Sequence, residues 1–322
     1  MHSPVTLVVG DANADLGATV HRFPFEGDDA LVDTLGWSSG GAAVNCAAAL
    51  ARLGGTTRLL SRIGSDPAAE VALRAVHAAA VDCSLVQIDT QHPTGICFVV
   101  VSPGAERTMF SFRGANAHLV VPTQPDPLAG IAWLHICGHA LVEGTQRATI
   151  LELLAAATEH RRPVSLDLCL PLLRSHTGTI AQLFAQIGVL FLNEVELHEC
   201  MPGMSEAAAA ARLAAQIPIV VVKLGPRGCL VAAGETLEHI APFEVAAVDA
   251  TGCGDAFVAG FLYGRQLGLN LRDTATIANA VGALVAQRPG AADAMPPRSD
   301  VIAFLRAGGR HELADRIQQP AV

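Results

Sequence analysis

The sequence predicts an α/β fold, a three-layer α/β/α sandwich whose central sheet is mainly parallel. Three observations carry that expectation. Short apolar runs alternate with helix-period patterns along most of the chain, as parallel strands joined by crossover helices do. Apolar residues make up 51% of the 322-residue chain and aromatics only 4%, so the core has to be built from Ala, Val, Leu and Ile between sheet and helices. Two segments, residues 16–38 and Gly95 to Phe112, break the alternation, and the second carries a hairpin signal. The length exceeds that of an average domain yet suits one α/β unit, residues 1–322, with a small appendage, and no polar linker divides it.

Val5–Val9 reads as a buried first strand that ends at Gly10-Asp11-Ala12-Asn13-Ala14-Asp15. Three polar side chains thus gather at a strand's carboxyl end, where open α/β sheets bind ligands. Gly40-Gly41 precedes an Ala-rich helix over 42–53 whose only neutral amide, Asn45, sits about one turn in. A strand at 57–60 and a helix at 67–80 follow. Ile96–Val101 and Thr108–Phe112 flank Ser102-Pro103-Gly104, a hairpin signal. Strands at 131–137, 163–168, 188–192 and 218–223 then alternate with helices at 145–160 and 206–215, and helices at 254–267 and 272–287 complete the pattern.

A net charge of -9 argues against nucleic acid or an anionic membrane surface as the main partner. Eight cysteines show no CxxC pair, which suggests free thiols in a reducing compartment, with cytoplasm the expected location. The start lacks a basic leader and a long apolar region, and no run approaches the ~18 apolar residues of a membrane span. His135 and His139 are four apart, but a strand pattern and Gly138 argue against a helical zinc pair.

The most informative segment is Asp249-Ala250-Thr251-Gly252-Cys253-Gly254-Asp255, which runs into a small, apolar helical stretch from Ala256 to Leu262. Small residues at 252–254 let backbone N–H groups converge, and a helix start adds its positive dipole end, so the segment suits an anion. A carboxylate at Asp255 would repel that anion unless it has a task, and removing a proton from an attacking hydroxyl is such a task. The bland alternative is a tight turn before an ordinary acidic first turn. No G-x-x-x-x-G-K-[ST] occurs, so a P-loop mechanism is not expected.

On these motifs the chain resembles the ribokinase-like (PfkB) family of carbohydrate kinases. Gly40 to Gly64 matches one family signature and Asp249 to Leu262 the other, with weaker agreement from the first strand to about residue 297. The resemblance implies that Asp255 is the base that deprotonates a sugar hydroxyl, and that Gly252, Cys253 and Gly254 form the anion hole. It places Asp15, Gly41 and Asn45 around the sugar. It places Lys223, Gly225 and Gly228 along an ATP site, with Asn279 near the adenine. Asn193 and Glu196 take the Asn-x-x-Glu places of a Mg²⁺ and phosphate site, against which stands a merely solvated helix start. Asp249 and Thr251, with main-chain groups around 286–291, fall where many relatives hold a monovalent cation such as K⁺. The segments at about 16–38 and 95–113 are expected to form a β lid, a surface also used for homodimer contacts.

Cys253 replaces the usual alanine or glycine, and reads as a small residue whose backbone matters rather than as a reactive thiol. Arg113 could meet a substrate carboxylate or phosphate, although a lone arginine at a strand end is usually surface. Cys169 and Pro171 break the Asp-x-Asn-x-Arg pattern of fructokinase-like and ketodeoxygluconate kinase-like relatives, while Arg113-Gly114-Ala115-Asn116-Ala117 is closer to ribokinases. Ribose or a related furanose is the leading expected acceptor. A nucleoside stacked on Phe110 and Phe112, a fructose or a ketodeoxy acid sugar are the alternatives, and a non-catalytic sugar-binding regulator is the alternative of another class.

Overall fold

The computed structural model describes residues 4–102, 107–176, 180–288 and 290–318. In chain order the strands are β1 (Val5–Val9), β2 (Asn13–Val20), β3 (Val32–Gly40), β4 (Thr56–Leu60), β5 (Arg62–Gly64), β6 (Gln87–Asp89), β7 (Gly95–Val101), β8 (Arg107–Phe112), β9 (Ile131–Cys137), β10 (Val164–Asp167), β11 (Val189–Asn193), β12 (Ile219–Lys223), β13 (Cys229–Ala233) and β14 (Thr236–Ile240). The helices are α1 (Ala42–Arg52), α2 (Pro67–Ala78), α3 (Gly144–Glu159), α4 (Leu170–Ser175), α5 (Ile180–Phe184), α6 (Glu194–Cys200), α7 (Glu206–Ala214), α8 (Cys253–Gln266), α9 (Leu271–Ala286), α10 (Arg298–Ala307) and α11 (His311–Gln318).

The main sheet has eight strands in the order β14-β13-β12-β11-β10-β9-β1-β4. It is parallel from β12 through β4, because helices carry the chain back between consecutive strands. Strand alternation sends Val8, Phe191 and Val221 to one face, against α1, α2, α8 and α9. Leu7, Val9, Leu190 and Val222 go to the other, against α3 to α7. Two apolar layers around one sheet are the expected three-layer sandwich.

The edge differs from the sequence reading. β13 and β14 pair antiparallel, with Ala233 opposite Thr236 across a two-residue turn. The turn's Gly234 has φ +58, a conformation that glycine adopts without strain, so the local signal for this hairpin was present. Helices α10 and α11 also lie beyond the expected elements.

Both irregular segments enter a second, four-stranded sheet of order β3-β2-β7-β8. The expected hairpin is there, with Val101 opposite Arg107, while Pro103 and Gly104 of its expected turn lie outside the described residues. Register sorts the side chains into two faces. Asp15 shares one face with Ser38, Cys97 and Ser111, and Leu16 shares the other with Trp37, Phe98 and Phe110. The second face is apolar and open, with Leu35 61%, Trp37 48% and Phe110 55% exposed. Phe110 and Phe112 therefore point away from the Asp15 face, and the aromatic floor imagined for a nucleoside is not formed there. β5 and β6 make a short parallel pair beside these sheets.

Candidate active site

The carboxyl ends of β1, β10, β11 and β12 deliver Asp11, Asp167, Asn193 and Lys223 to one rim, and α1 and α8 begin above it. At its centre Asn45 Nδ2 donates to Asp255 Oδ2 at 2.7 Å, so the two glycine-led helices present one polar pair. Enclosure by protein pushes the Asp255 carboxyl up to about 7, with the Asn45 hydrogen bond opposing and Asp167 adding repulsion. Asp15 is also raised to about 7, by burial first and by the negative charge of Asp255 second. Asp15 Oδ1 and Asn45 Oδ1 are buried and have no hydrogen-bond partner among the described residues. Two acceptors beside a base are thus left for donors that the described residues do not supply.

Glycines permit this closeness. A Cβ on Gly40 would stand 2.1 Å from the Asp15 carboxylate, and one on Gly41, at φ +90, would stand 2.3 Å from Asp11 O. Gly252 caps α8 at φ +74, and a Cβ there would stand 3.2 Å from Ala291. Of the three amides expected in the anion hole, that of Cys253 makes a long bond of 3.3 Å to Ala250 O. Burial raises the Cys253 thiol to about 11, which fits a small residue rather than a thiolate nucleophile.

A cavity of about 440 Å³ adjoins this point, lined by Lys223, Gly225, Gly228, Asn279, Cys253 and Gly254 together with the apolar Phe243 and Val245. The structure thus brings the expected ATP residues together beside the α8 N-terminus. Lys223 Nζ lies 3.5 Å from where a Gly254 Cβ would be, and it is paired to Asp167 Oδ1 at 2.6 Å. Burial alone would lower the Lys223 ammonium, but Asp167 and Glu196 outweigh it and hold the lysine above its ordinary value. Asn279 lines the cavity while its Nδ2 donates to Ile240 O and Ala241 O at 3.2 and 3.0 Å. Arg227, between the loop glycines, turns outward to Glu194 and Glu206 at 2.8 and 2.7 Å.

Asn193 and Glu196 form a reciprocal capping box on α6, Glu196 N to Asn193 Oδ1 at 2.9 Å and Asn193 N to Glu196 Oε2 at 2.7 Å. Within this first turn Glu196 is the buried acid, only 6% exposed, and burial pushes its carboxyl up, while Glu194 and Val195 face solvent. Arg113 is not a free strand-end cation either. Its guanidinium donates to His139 O at 2.6 Å, to Asp11 Oδ1 at 2.9 Å and to Gln146 Oε1, so its charge is met inside the protein. Asn116 holds Ala12 N and O from the same side, and the pair ties the start of the second sheet to its exit. Asp249 and Thr251 are bonded to each other and to Arg107 of β8. His135 is a core residue on Ser165 Oγ at 2.9 Å, held neutral by burial.

Sequence reasoning missed Asp167 as the partner of Lys223, and Asp11 and Arg107 as counter-charges. For Asp167 a signal existed, since it ends a parallel strand next to the one ending at Asn193. The partners of Arg107 lie more than 140 residues away in the chain and left no local trace.

The pfkB family carbohydrate kinase model matches residues 5–298. Fructokinase of Salmonella typhimurium is 31% identical over 301 residues, covering 85% of this chain and 96% of that protein. The Arabidopsis thaliana ribokinase structure complexed with ribose and ATP superposes with a TM-score of 0.82 at 25% identity, over 95% of this chain and 99% of that one. A Vibrio cholerae fructokinase double mutant, in its fructose, ADP and potassium ion bound form, superposes at 0.77 with 28% identity, over 94% and 98%. With the glycine-led helices, the Asn45–Asp255 pair and the adjoining cavity in place, the chain belongs to the pfkB family of carbohydrate kinases and is an ATP-dependent carbohydrate kinase.

Proposed function

We propose that the enzyme transfers the γ-phosphoryl group of ATP to a hydroxymethyl group of a neutral furanose, with ribose and fructose the first acceptors to test. The Asn45–Asp255 pair carries this reading, because it stands between two kinds of ground. On one side the unpartnered oxygens of Asp15 and Asn45 call for hydroxyl donors. On the other the α8 N-terminus and Lys223 supply positive potential for phosphate.

In this reading Asp15 and Asn45 hold neighbouring hydroxyls and aim a third at the γ-phosphorus. Asp255 takes the proton of that hydroxyl, and its raised value lets it do so near neutral pH. The amides of residues 252–254 and the Lys223 ammonium stabilise charge on the moving phosphoryl group, where positioning and electrostatics do most of the work. The buried Glu196, beside Lys223 and Asp167, fits a water-bridged Mg²⁺, which would neutralise phosphate charge when bound. Gly225, Gly228 and Asn279 border the adenosine end of the cavity.

The pairing of Arg113 with Asp11, Gln146 and the His139 carbonyl leaves only its buried Nε without a partner among the described residues, and a guanidinium so committed disfavours an acid sugar or a sugar phosphate as the acceptor. The outward placement of Phe110 and Phe112 disfavours a nucleoside. The second sheet serves as the lid over the sugar, and its open apolar face supports a homodimer through the lid. Eight thiols without a disulfide support a cytoplasmic location, and no described helix is long and apolar enough to cross a membrane.

The test is ADP release with Mg-ATP across ribose, fructose, ketodeoxygluconate, adenosine, inosine and cytidine, with Asp255→Asn run in parallel. Turnover of a neutral furanose that collapses in the variant is the expected result. Turnover of an acid sugar or nucleoside would overturn the acceptor class, and ligand binding without any turnover would favour a sugar-binding regulator.

A further inference from the structure

The loop that leads into α8 is tied to the lid by one cation. Arg107, first residue of β8, donates through Nη1 to Asp249 Oδ1 at 3.3 Å and also to Thr251 Oγ1. Asp249 Oδ1 further accepts from Thr251 N and Oγ1 at 2.8 and 2.6 Å, and Oδ2 accepts from Gly290 N at 2.9 Å. A carboxylate oxygen offers about two lone-pair sites, so Oδ1 is filled by its three contacts, while Oδ2 holds one. The carbonyl of Ala286 accepts from both Val248 N and Asp249 N, at 2.7 and 3.1 Å. A hard cation needs such oxygens directed at it rather than at N–H groups. The Asp249 carboxylate, the Thr251 hydroxyl and the Ala286 carbonyl, among the groups at which the family resemblance puts a monovalent cation, are thus already met from within the chain, one of them by a cation of its own.

Accepting the kinase reading given above, we propose that Arg107 is the built-in counter-charge of the Asp249–Thr251 loop, in place of a monovalent cation, so that the enzyme works without potassium and lid closure completes the anion hole. Register supports the coupling: Thr19 and Arg107 both stand opposite Val101, which puts Arg107 on the face that carries Asp15. A lid drawn down by a sugar on Asp15 carries the guanidinium to Asp249 in the same movement. Asp249 lies three residues before Gly252, and left unpaired it would repel an incoming phosphate. Arginine suits the post, since it is always charged and binds through a planar fork.

The experiment compares the full-length protein and Arg107→Ala in potassium chloride and in tetramethylammonium chloride, reading ADP affinity by calorimetry, thermal midpoint and turnover. In wild type every reading is expected to change less than about two-fold between salts. In Arg107→Ala, affinity and turnover in tetramethylammonium fall by about ten-fold, the scale of one charge-assisted hydrogen bond, and potassium or added guanidinium restores them. Arg107→Lys is expected to keep part of the function, which a merely steric role would not predict. A wild-type gain of about ten-fold or more on adding potassium would overturn the proposal. So would an Arg107→Ala protein that behaves as wild type in both salts, or one rescued by neither cation. ADP affinity needs no acceptor, so failure of every sugar to turn over would strike the acceptor reading and leave this test readable.

Discussion

Asn45 donates to Asp255 at 2.7 Å although 210 residues separate them, so the first turns of α1 and α8 form one site. Each helix starts after a glycine with positive φ, Gly41 at +90 and Gly252 at +74, and the close approach of the two starts makes a shared polar point out of two local motifs.

The pH dependence follows from that point. Asp255 acts as a base only when ionised, so kcat should rise with pH through about 7 and level off above it. Asp255→Asn should lose about 10²–10⁴ in kcat while nucleotide affinity holds, as read by steady-state kinetics and ADP calorimetry.

The same carboxyls set a stability trend. The folded values of Asp15 and Asp255, both about 7, are raised above the ordinary carboxylate value of 3.8, so the native state binds more protons between these limits. Their contribution to stability is therefore greatest at acid pH and falls as pH rises through that window. Asp15→Asn should be more stable than wild type at pH 8 by on the order of 1 kcal/mol and equal to it near pH 4, as read by urea melts, while its sugar KM rises.

Lys223 and Asp167 form a pair at 2.6 Å with side chains 14% and 13% exposed. Lys223→Met should cost about 3 kcal/mol, because Asp167 is left charged and unpaired. Adding Asp167→Leu should recover most of that stability but not the affinity for nucleotide. Chemical denaturation and calorimetry on the same samples separate the two effects.

Gly41→Ala should be more harmful than a typical surface change. Its φ of +90 and a Cβ at 2.3 Å from Asp11 O force the backbone to move, at a cost of about 1–3 kcal/mol. The movement also shifts Asn45, so the sugar KM should rise with the loss of thermal midpoint.

On the dimer proposed above, the open apolar face of the second sheet predicts association. Trp37→Glu places a charge among Leu35 and Phe110, and should shift the sedimentation coefficient from dimer to monomer, with the thermal midpoint of the body changed little.

Much of this was legible in the chain because it is local. Alternating apolar runs and helix periods located β1, β4 and β9 to β12, and α1, α2, α3 and α7 to α9, within a few residues, since burial on a sheet face or helix stripe imposes a period on neighbouring residues. The two glycine-led helices, with Asn45 and Asp255 in their first turns, were visible for the same reason. The tertiary structure decided which charges meet. Arg113 on Asp11, Lys223 on Asp167 and Arg107 on Asp249 join residues from 56 to 142 positions apart. Register also decided that Phe110 turns away from Asp15. Charge pairing across a sheet rim depends on where strand ends land in space, and hydrophobic periodicity does not encode that.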